Sequence, residues 1–247
     1  PKQYELYQEI LKTEKPIKIS SLKELASNPL TGCRGLEKRG LVSIFEETSL
    51  PDVTGFTFDP IHKKVVFNKH QKTVVTAIIQ SLDSKNYSPF LLHGVTGSGK
   101  TEIYIEAVRH CLDQSRTAII LLPEISLTPQ IAGRFRAVFG DSIALWHSKL
   151  TQAQRSWTWK EICKGSFKVV IGARSAVFAP LKDLGLIVID EEQESSFRQD
   201  APAPRYHARD VALMRATYEG SSVVLSSATP SLESYYNHLH KKLTYLH

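Results

Sequence analysis

Residues 90–101 read Phe-Leu-Leu-His-Gly-Val-Thr-Gly-Ser-Gly-Lys-Thr. An apolar run enters a glycine-rich loop, and a helix-like segment, 102–112, follows. That order is the strand–loop–helix context of a phosphate-binding loop, and the spacing from Gly94 through Gly99-Lys100-Thr101 fits the motif without a mismatch. Glycines let backbone N–H groups curl around phosphate oxygens. The helix that follows aims its first amides at the same anion. Gly94, Thr96, Gly97, Ser98, Gly99, Lys100 and Thr101 are therefore the candidate nucleotide-binding residues. Lys100 would reach the terminal phosphates and the Thr101 hydroxyl would hold Mg²⁺. A plain glycine-rich turn is the alternative, and the flanking strand and helix argue against it.

A phosphate loop needs a parallel α/β sheet around it, and the remaining sequence supplies one. Apolar runs at 90–93, 117–122, 142–146, 168–171, 186–189 and 222–225 alternate with helical patterns at 101–112, 128–139, 153–164, 206–218 and 231–239. Alternation of this kind predicts helices packed on a parallel sheet. Hydrophobic residues make up 42% of the 247, enough for an ordinary core. The net charge is +6, of which residues 1–50, with 8 Lys/Arg against 7 Asp/Glu, hold only +1. A mildly basic remainder is compatible with nucleic acid. Cys33, Cys111 and Cys163 form no Cys-x-x-Cys pair, so neither a zinc site nor a disulfide is expected, and a reduced cytosolic setting is the default. No apolar run reaches membrane-spanning length and the start carries no signal peptide pattern, so no membrane partner is expected. The absent initiator Met suggests a fragment or a processed chain.

Ahead of the sheet, the spacing predicts a helix over 4–11, a second from Ser20 or Ser21 to Pro29, a third over 31–38 and a strand over 41–46. Three short helices and a strand predict a winged-helix-like unit over residues 1–49. A small protein-binding or spacer domain is the alternative. Residues 50–67 mix Pro, Gly and charge and read as a linker. Asn68 to Gln80 reads as the helix that opens the main domain, 68–247. Gln71 lies in its first turn, where an amide could both donate to and accept from an adenine edge.

The run Leu186-Ile187-Val188-Ile189 ends in Asp190-Glu191-Glu192. Beside a phosphate loop, the first acid holds Mg²⁺ and the next orients and deprotonates the attacking water. Asp190 and Glu191, with Lys100, are the candidate catalytic residues; Asp190 and Thr101 are the candidate metal ligands.

Gly-Val-Thr-Gly-Ser-Gly-Lys-Thr (94–101), Asp-Glu-Glu-Gln (190–193) and Ser-Ala-Thr (227–229) resemble motifs I, II and III of the superfamily 2 helicases. Leu-Leu-Pro-Glu-Ile-Ser-Leu-Thr-Pro-Gln (121–130), Gly-Ala-Arg-Ser-Ala-Val-Phe-Ala-Pro (172–180) and Pro-Arg-Tyr-His-Ala-Arg-Asp-Val-Ala (204–212) narrow the likeness to the bacterial replication-restart helicases, the PriA family. His147-Ser148 with Arg155 and Ala-Thr-Pro-Ser-Leu-Glu-Ser (228–234) add to it. The resemblance is close over 68–240 and looser over 4–47.

It implies a RecA-like lobe with ATP and Mg²⁺ as cofactors, a 3′→5′ DNA helicase activity, and single-stranded and forked DNA, primosome proteins and single-strand-binding protein as partners in a bacterial cytoplasm. Gln71 would belong to an adenine-recognising motif. Ser227 and Thr229 would couple the ATP state to lobe movement. Arg174 and Ser175, with Glu124, Thr128 and Gln130 in the 123–130 segment, would line the single-strand path. The stretch from Phe197 to Tyr206 would be an aromatic-rich loop linking DNA to the ATPase site. There Phe197 and Tyr206 would stack on bases, and Arg198, Arg205 and Arg209 would meet phosphates.

Two departures stand out. Gln193 occupies the place where the family usually has His. The family's second motor lobe with its arginine finger, its N-terminal DNA-binding domain and its cysteine-rich zinc site have no counterpart in these residues, so zinc is expected only in a longer parent. The chain thus reads as a winged helix, a linker and a first motor lobe. A winged-helix regulator that binds ATP as a ligand, or another superfamily 2 translocase, are the alternatives. The Ser-Ala-Thr and Tyr-His-Ala-Arg-Asp stretches argue against them.

Overall fold

A run such as Leu186-Ile187-Val188-Ile189 has no polar side, so it is stable only where helices cover both faces of its sheet. The computed structural model of the protein describes residues 2–13, 17, 19–26, 28–44, 66–126 and 129–247. It divides into two compact units, Pro1–Pro51 and Asp52–His247.

In the first unit, α1 (Lys2–Leu11) packs with α2 (Pro29–Glu37) around Leu6, Leu22, Cys33 and Leu36. Gly32 and Gly35, three residues apart, face α1: a Cβ on either would run into Leu6 or Gln3. The expected second helix is instead a six-residue 3₁₀ turn, Ile19–Glu24. Asn28 caps α2 by accepting from the Thr31 N–H, and Pro29 takes its first position, so the chain must leave helical geometry before residue 28. Of the expected strand, residues 41–44 form no ladder, and Phe45 and Glu46 lie outside the described residues, as does 50–65 of the expected linker.

The second unit opens with α3 (Lys69–Ser84) and continues through β1 (Ser88–His93), α4 (Lys100–Asp113), β2 (Thr117–Leu121), α5 (Pro129–Phe139), β3 (Ile143–Trp146), α6 (Gln152–Lys164), β4 (Val169–Gly172) and β5 (Leu184–Asp190). After the short hairpin β6 (Arg198–Gln199) and β7 (Tyr206–His207) come α7 (Ala208–Glu219), β8 (Ser222–Ser227), α8 (Leu232–Leu239) and β9 (Thr244–Leu246). Seven strands form one sheet in the order β3-β4-β2-β5-β8-β1-β9, and every pairing in it is parallel. This is the expected α/β, RecA-like arrangement.

Alternate residues of each strand serve opposite faces. Phe90, Leu92, Ile120 and Val188 pack with α3, α4 and α5. Leu91, Ile119, Ile187 and Leu225 pack with α6 and α7 on the other side. Alanines at 208, 212 and 216 form a smooth i, i+4 stripe that brings α7 against β5. The expected helix from 206 starts two residues later, because Tyr206 and His207 pair antiparallel with Gln199 and Arg198. The edge strand β9 was not expected.

Gly172 closes β4 where β3 approaches. A Cβ there would overlap the Trp146 carbonyl and lie 2.7 Å from the Ala176 Cβ. Both obstacles are fixed, so Gly172→Ala should cost about 1–3 kcal/mol, as overpacking does. Thermal unfolding should show it as a loss of about 2–4 °C per kcal/mol; an unchanged melting temperature would contradict this close approach.

Candidate active site

β1 ends at His93, the chain turns through 94–99, and α4 begins at Lys100. Gly97 and Gly99 hold φ of 80° and 85°, in the left-handed region that suits glycine. A Cβ on Gly99 would lie 2.5 Å from the Gln71 Nε2. Gln71 is part of a capping box. Its N–H donates to Asn68 Oδ1 and its Oε1 accepts from the Asn68 N–H, both at 2.9 Å. Its Nε2 donates to the Ser98 carbonyl at 2.8 Å. The amide is thus a strut between α3 and the loop, with one N–H and one lone pair left for an adenine edge. Lys100 is buried and donates to the Gly94 and Val95 carbonyls at 2.7 and 3.3 Å, with Glu191 Oε1 at 4.0 Å. Thr96 and Gly97 are exposed on the loop, and Thr101 is half-buried in the first turn of α4.

Asp190 ends β5 beside Ser226 of β8. Tyr104, one turn after Lys100 on α4, reaches across and donates to Asp190 Oδ1 at 2.9 Å; it also bonds the Ser226 hydroxyl. Burial pushes the Asp190 carboxyl above the usual carboxylate range, with the Tyr104 hydrogen bond opposing that shift. Burial likewise pushes the Tyr104 hydroxyl well up, so it stays a donor. The sequence reading missed Tyr104. Its signal is a bulky polar residue at i+4 from the loop lysine, on the helix face turned to the sheet.

Glu191 sits at φ 50°, in the left-handed region that is uncommon for a residue other than glycine. Gln193 Nε2 donates to Glu191 Oε2 at 3.0 Å, and Gln193 Oε1 accepts from Ser227 Oγ at 2.6 Å. Ser227 Oγ in turn accepts from the Thr229 N–H at 2.8 Å. A neutral amide, where the family usually has His, therefore joins the acids to Ser-Ala-Thr. Backbone bonds tie the same three loops together: Gly94 N–H to Ser227 O at 3.1 Å and Glu192 N–H to Ser226 O at 3.0 Å.

Farther along the same sheet edge, Arg174 Nη1 donates to the Arg198 carbonyl at 2.7 Å, and its guanidinium lies 5.9 Å from the Tyr206 ring centre. Phe178, unforeseen and exposed, meets Tyr206 edge-on at 5.1 Å. Ser175 is exposed and accepts from Trp146 Nε1 at 3.1 Å. Arg198 and Glu124 are exposed, Arg198 pairing with Asp200 at 2.7 Å. Two expectations are corrected. Phe197 is 1% exposed and belongs to the core under β5, so it has no face free for a base. Arg209 is 9% exposed and paired with Glu192 at 3.3 Å, so it is not a free phosphate ligand. Thr128 and the side chain of Gln130 lie outside the described residues.

Residues 68–237 match the family model of the DEAD/DEAH box helicases. The chain belongs to the DEAD/DEAH box helicases. The chain is 41% identical over 245 residues to the replication restart protein PriA of Chlamydia pneumoniae, covering 98% of the chain and 32% of that relative. It is 50% identical over 165 residues to PriA of Bacillus subtilis, covering 67% of the chain and 20% of the relative. The chain thus spans a third or less of the length of these relatives. Among solved structures, RecG bound to a three-way DNA junction superposes with a TM-score of 0.56 at 21% identity, over 74% of this chain and 24% of that one. The helicase MrfA superposes with a TM-score of 0.51 at 18% identity, over 87% of this chain and 32% of that one. Both share the fold.

Membership implies ATP with Mg²⁺, and the residues fit. The Gly99 cradle has no room for a side chain, and Lys100 is a buried ammonium facing the loop's own carbonyls. Among the described residues no group of three or more His, Cys, Asp or Glu could hold a metal. Mg²⁺ needs no such group, since one or two carboxylates and phosphate oxygens suffice. Among the described residues no helix is long and apolar enough to cross a membrane.

A raised Asp190 pKa means that the fold favours the protonated acid. That stability is present below the unfolded value, about 3.9, and is lost as pH rises through the folded one. Asp190→Asn should therefore raise the melting temperature at neutral pH, and the gain should vanish on acidification. It should also abolish Mg²⁺-dependent nucleotide affinity. Paired melting curves and nucleotide titrations check this; a lower neutral-pH melting temperature would contradict it.

Proposed function

We propose that these residues are the ATP-binding lobe and a small N-terminal domain of a bacterial replication-restart DNA helicase working in the cytoplasm. The observation that carries the reading is the hydrogen-bonded line Glu191–Gln193–Ser227, which joins a hydrolytic carboxylate to the Ser-Ala-Thr loop. A protein that only stored nucleotide would have no need of it. The near-complete span of the chain in alignment with PriA relatives supports the same reading. The lobe would work within a longer protein that moves 3′→5′ on single-stranded and forked DNA. Primosome proteins and single-strand-binding protein are the partners this reading expects, and a zinc site belongs elsewhere in the parent. The winged-helix assignment of the N-terminal unit is part of this proposal.

With nucleotide bound, Lys100 would exchange the Gly94 and Val95 carbonyls for the terminal phosphates, and Thr101 and Asp190 would hold the metal. Bound Mg²⁺ supplies neutralisation of charge developing on the phosphate oxygens. Glu191, positioned by Gln193, orients the attacking water and takes its proton. Arg174, Ser175 and Tyr206, with the exposed Phe178, offer donors and a ring face to a strand without reading its sequence.

The test is an ATPase assay of the full-length protein with and without single-stranded DNA, beside two variants. Lys100→Ala should weaken nucleotide binding by about 1.5–3 kcal/mol, the range for hydrogen bonds to a charged group. Glu191→Gln should bind nucleotide normally and lose turnover. Equal nucleotide affinity in Lys100→Ala and the parent would overturn the site. The 247-residue chain alone should bind Mg²⁺-nucleotide yet turn over slowly. An arginine finger from a second lobe contributes about 10³–10⁵ in rate in other NTPases. Robust DNA-stimulated turnover by the isolated chain would refute that dependence.

A further inference from the structure

Glu192 follows the hydrolytic acid and has no solvent exposure. A carboxylate so placed is unfavourable unless its lone pairs are filled. They are filled by three residues from two elements, the capped start of α8 and the first turn of α7. Oε1 accepts from the Ser231 N–H at 2.7 Å. Oε2 accepts from Ser231 Oγ at 3.0 Å, from Ser234 Oγ at 2.9 Å and from Arg209 Nη1 at 3.3 Å. Arg209 also donates to Ser231 Oγ at 2.8 Å and to Asp210 at 3.2 Å. One buried carboxylate thus fastens the turn after β5 to the cap of α8, just past Ser-Ala-Thr, and to the start of α7, just past the β6–β7 hairpin.

Stability alone does not call for this arrangement, because apolar side chains of similar volume generally serve as well as a buried ion pair. What an ion pair in a dry site adds is geometric: a fully bonded network has few arrangements, so it moves as a unit. The unit here borders Glu191 on one side and the Arg198–His207 hairpin on the other. We propose that Glu192 and Arg209 are positioning residues for hydrolysis, holding the backbone turn that presents Glu191 and registering that turn against the hairpin and α8. The proposal rests on the ATPase reading above and deepens it.

Full-length protein tests it through Glu192→Gln/Arg209→Met, which removes both charges and leaves no buried ion unpaired, since Asp210 is exposed to solvent, with Ser234→Ala as a milder cut and Arg209→Lys as the conservative variant. Melting temperature, KM for ATP and kcat are measured with and without single-stranded DNA. The double variant should keep its fold and KM and lose about 10- to 100-fold in kcat, the scale set by small misplacements of catalytic groups. Its stimulation by DNA should fall toward unity. Ser234→Ala should be intermediate and Arg209→Lys should recover most of the rate. A folded double variant with parental kcat overturns the proposal. So does a rate loss that merely follows melting temperature across the three variants. Parent protein with no DNA stimulation overturns the strand-tracking reading instead, while the kcat comparison still decides whether the pair positions Glu191.

Discussion

The candidate site depends on three parallel strands that end level with one another. Asp190 lies opposite Ser226, and Ser227 lies opposite His93, the residue before the phosphate loop. The register is enforced by burial: β5 is covered on both faces from Leu184 to Ile189. A slip of one residue would exchange its two faces and drag Asp190 into the core. The loops that carry chemistry are therefore placed by apolar packing several residues away. The end of a parallel sheet is also where α/β proteins commonly bind ligands. The candidate nucleotide residues occupy the β1, β8 and β5 ends, and the strand-binding candidates occupy the β2 and β4 ends and the hairpin.

Three consecutive acids meet three different environments. Asp190 is half-buried under a tyrosine hydroxyl, Glu191 is half-buried on a left-handed backbone, and Glu192 is enclosed by serines and an arginine. The partners differ accordingly: burial and Glu191 both push the Asp190 carboxyl up while the Tyr104 hydrogen bond opposes them, and Glu192 is held apart by its own serines and arginine.

Much of this was legible before the fold. The phosphate loop and the acids are local motifs, and the alternation of apolar and helical segments gave the sheet. What escaped was set by distant contacts. Tyr104 owes its importance to a carboxylate 86 residues away. Glu192 cannot be told from its neighbours as a string of acids, since only Arg209, Ser231 and Ser234 reveal its burial. Phe197 reads as an aromatic among arginines, yet the hairpin turns it inward. Gln71 was placed correctly in its helix turn, but its contact with Ser98 depends on how α3 leans on the loop. In the first unit, Pro29 was read as a stop when it starts the next helix.

The strand that carries the phosphate loop would be an open edge but for three residues. β9 pairs with Phe90, Leu91 and Leu92, and Tyr245 adds a 2.6 Å bond to His93. Without β9, the backbone of β1 would present free N–H and C=O groups along an apolar ribbon, the template on which foreign strands add. For anyone choosing where to cut this lobe from a longer polypeptide, the last few residues thus matter more than their number suggests. A boundary drawn after α8 would leave the candidate site residues intact while giving the lobe a sticky seam.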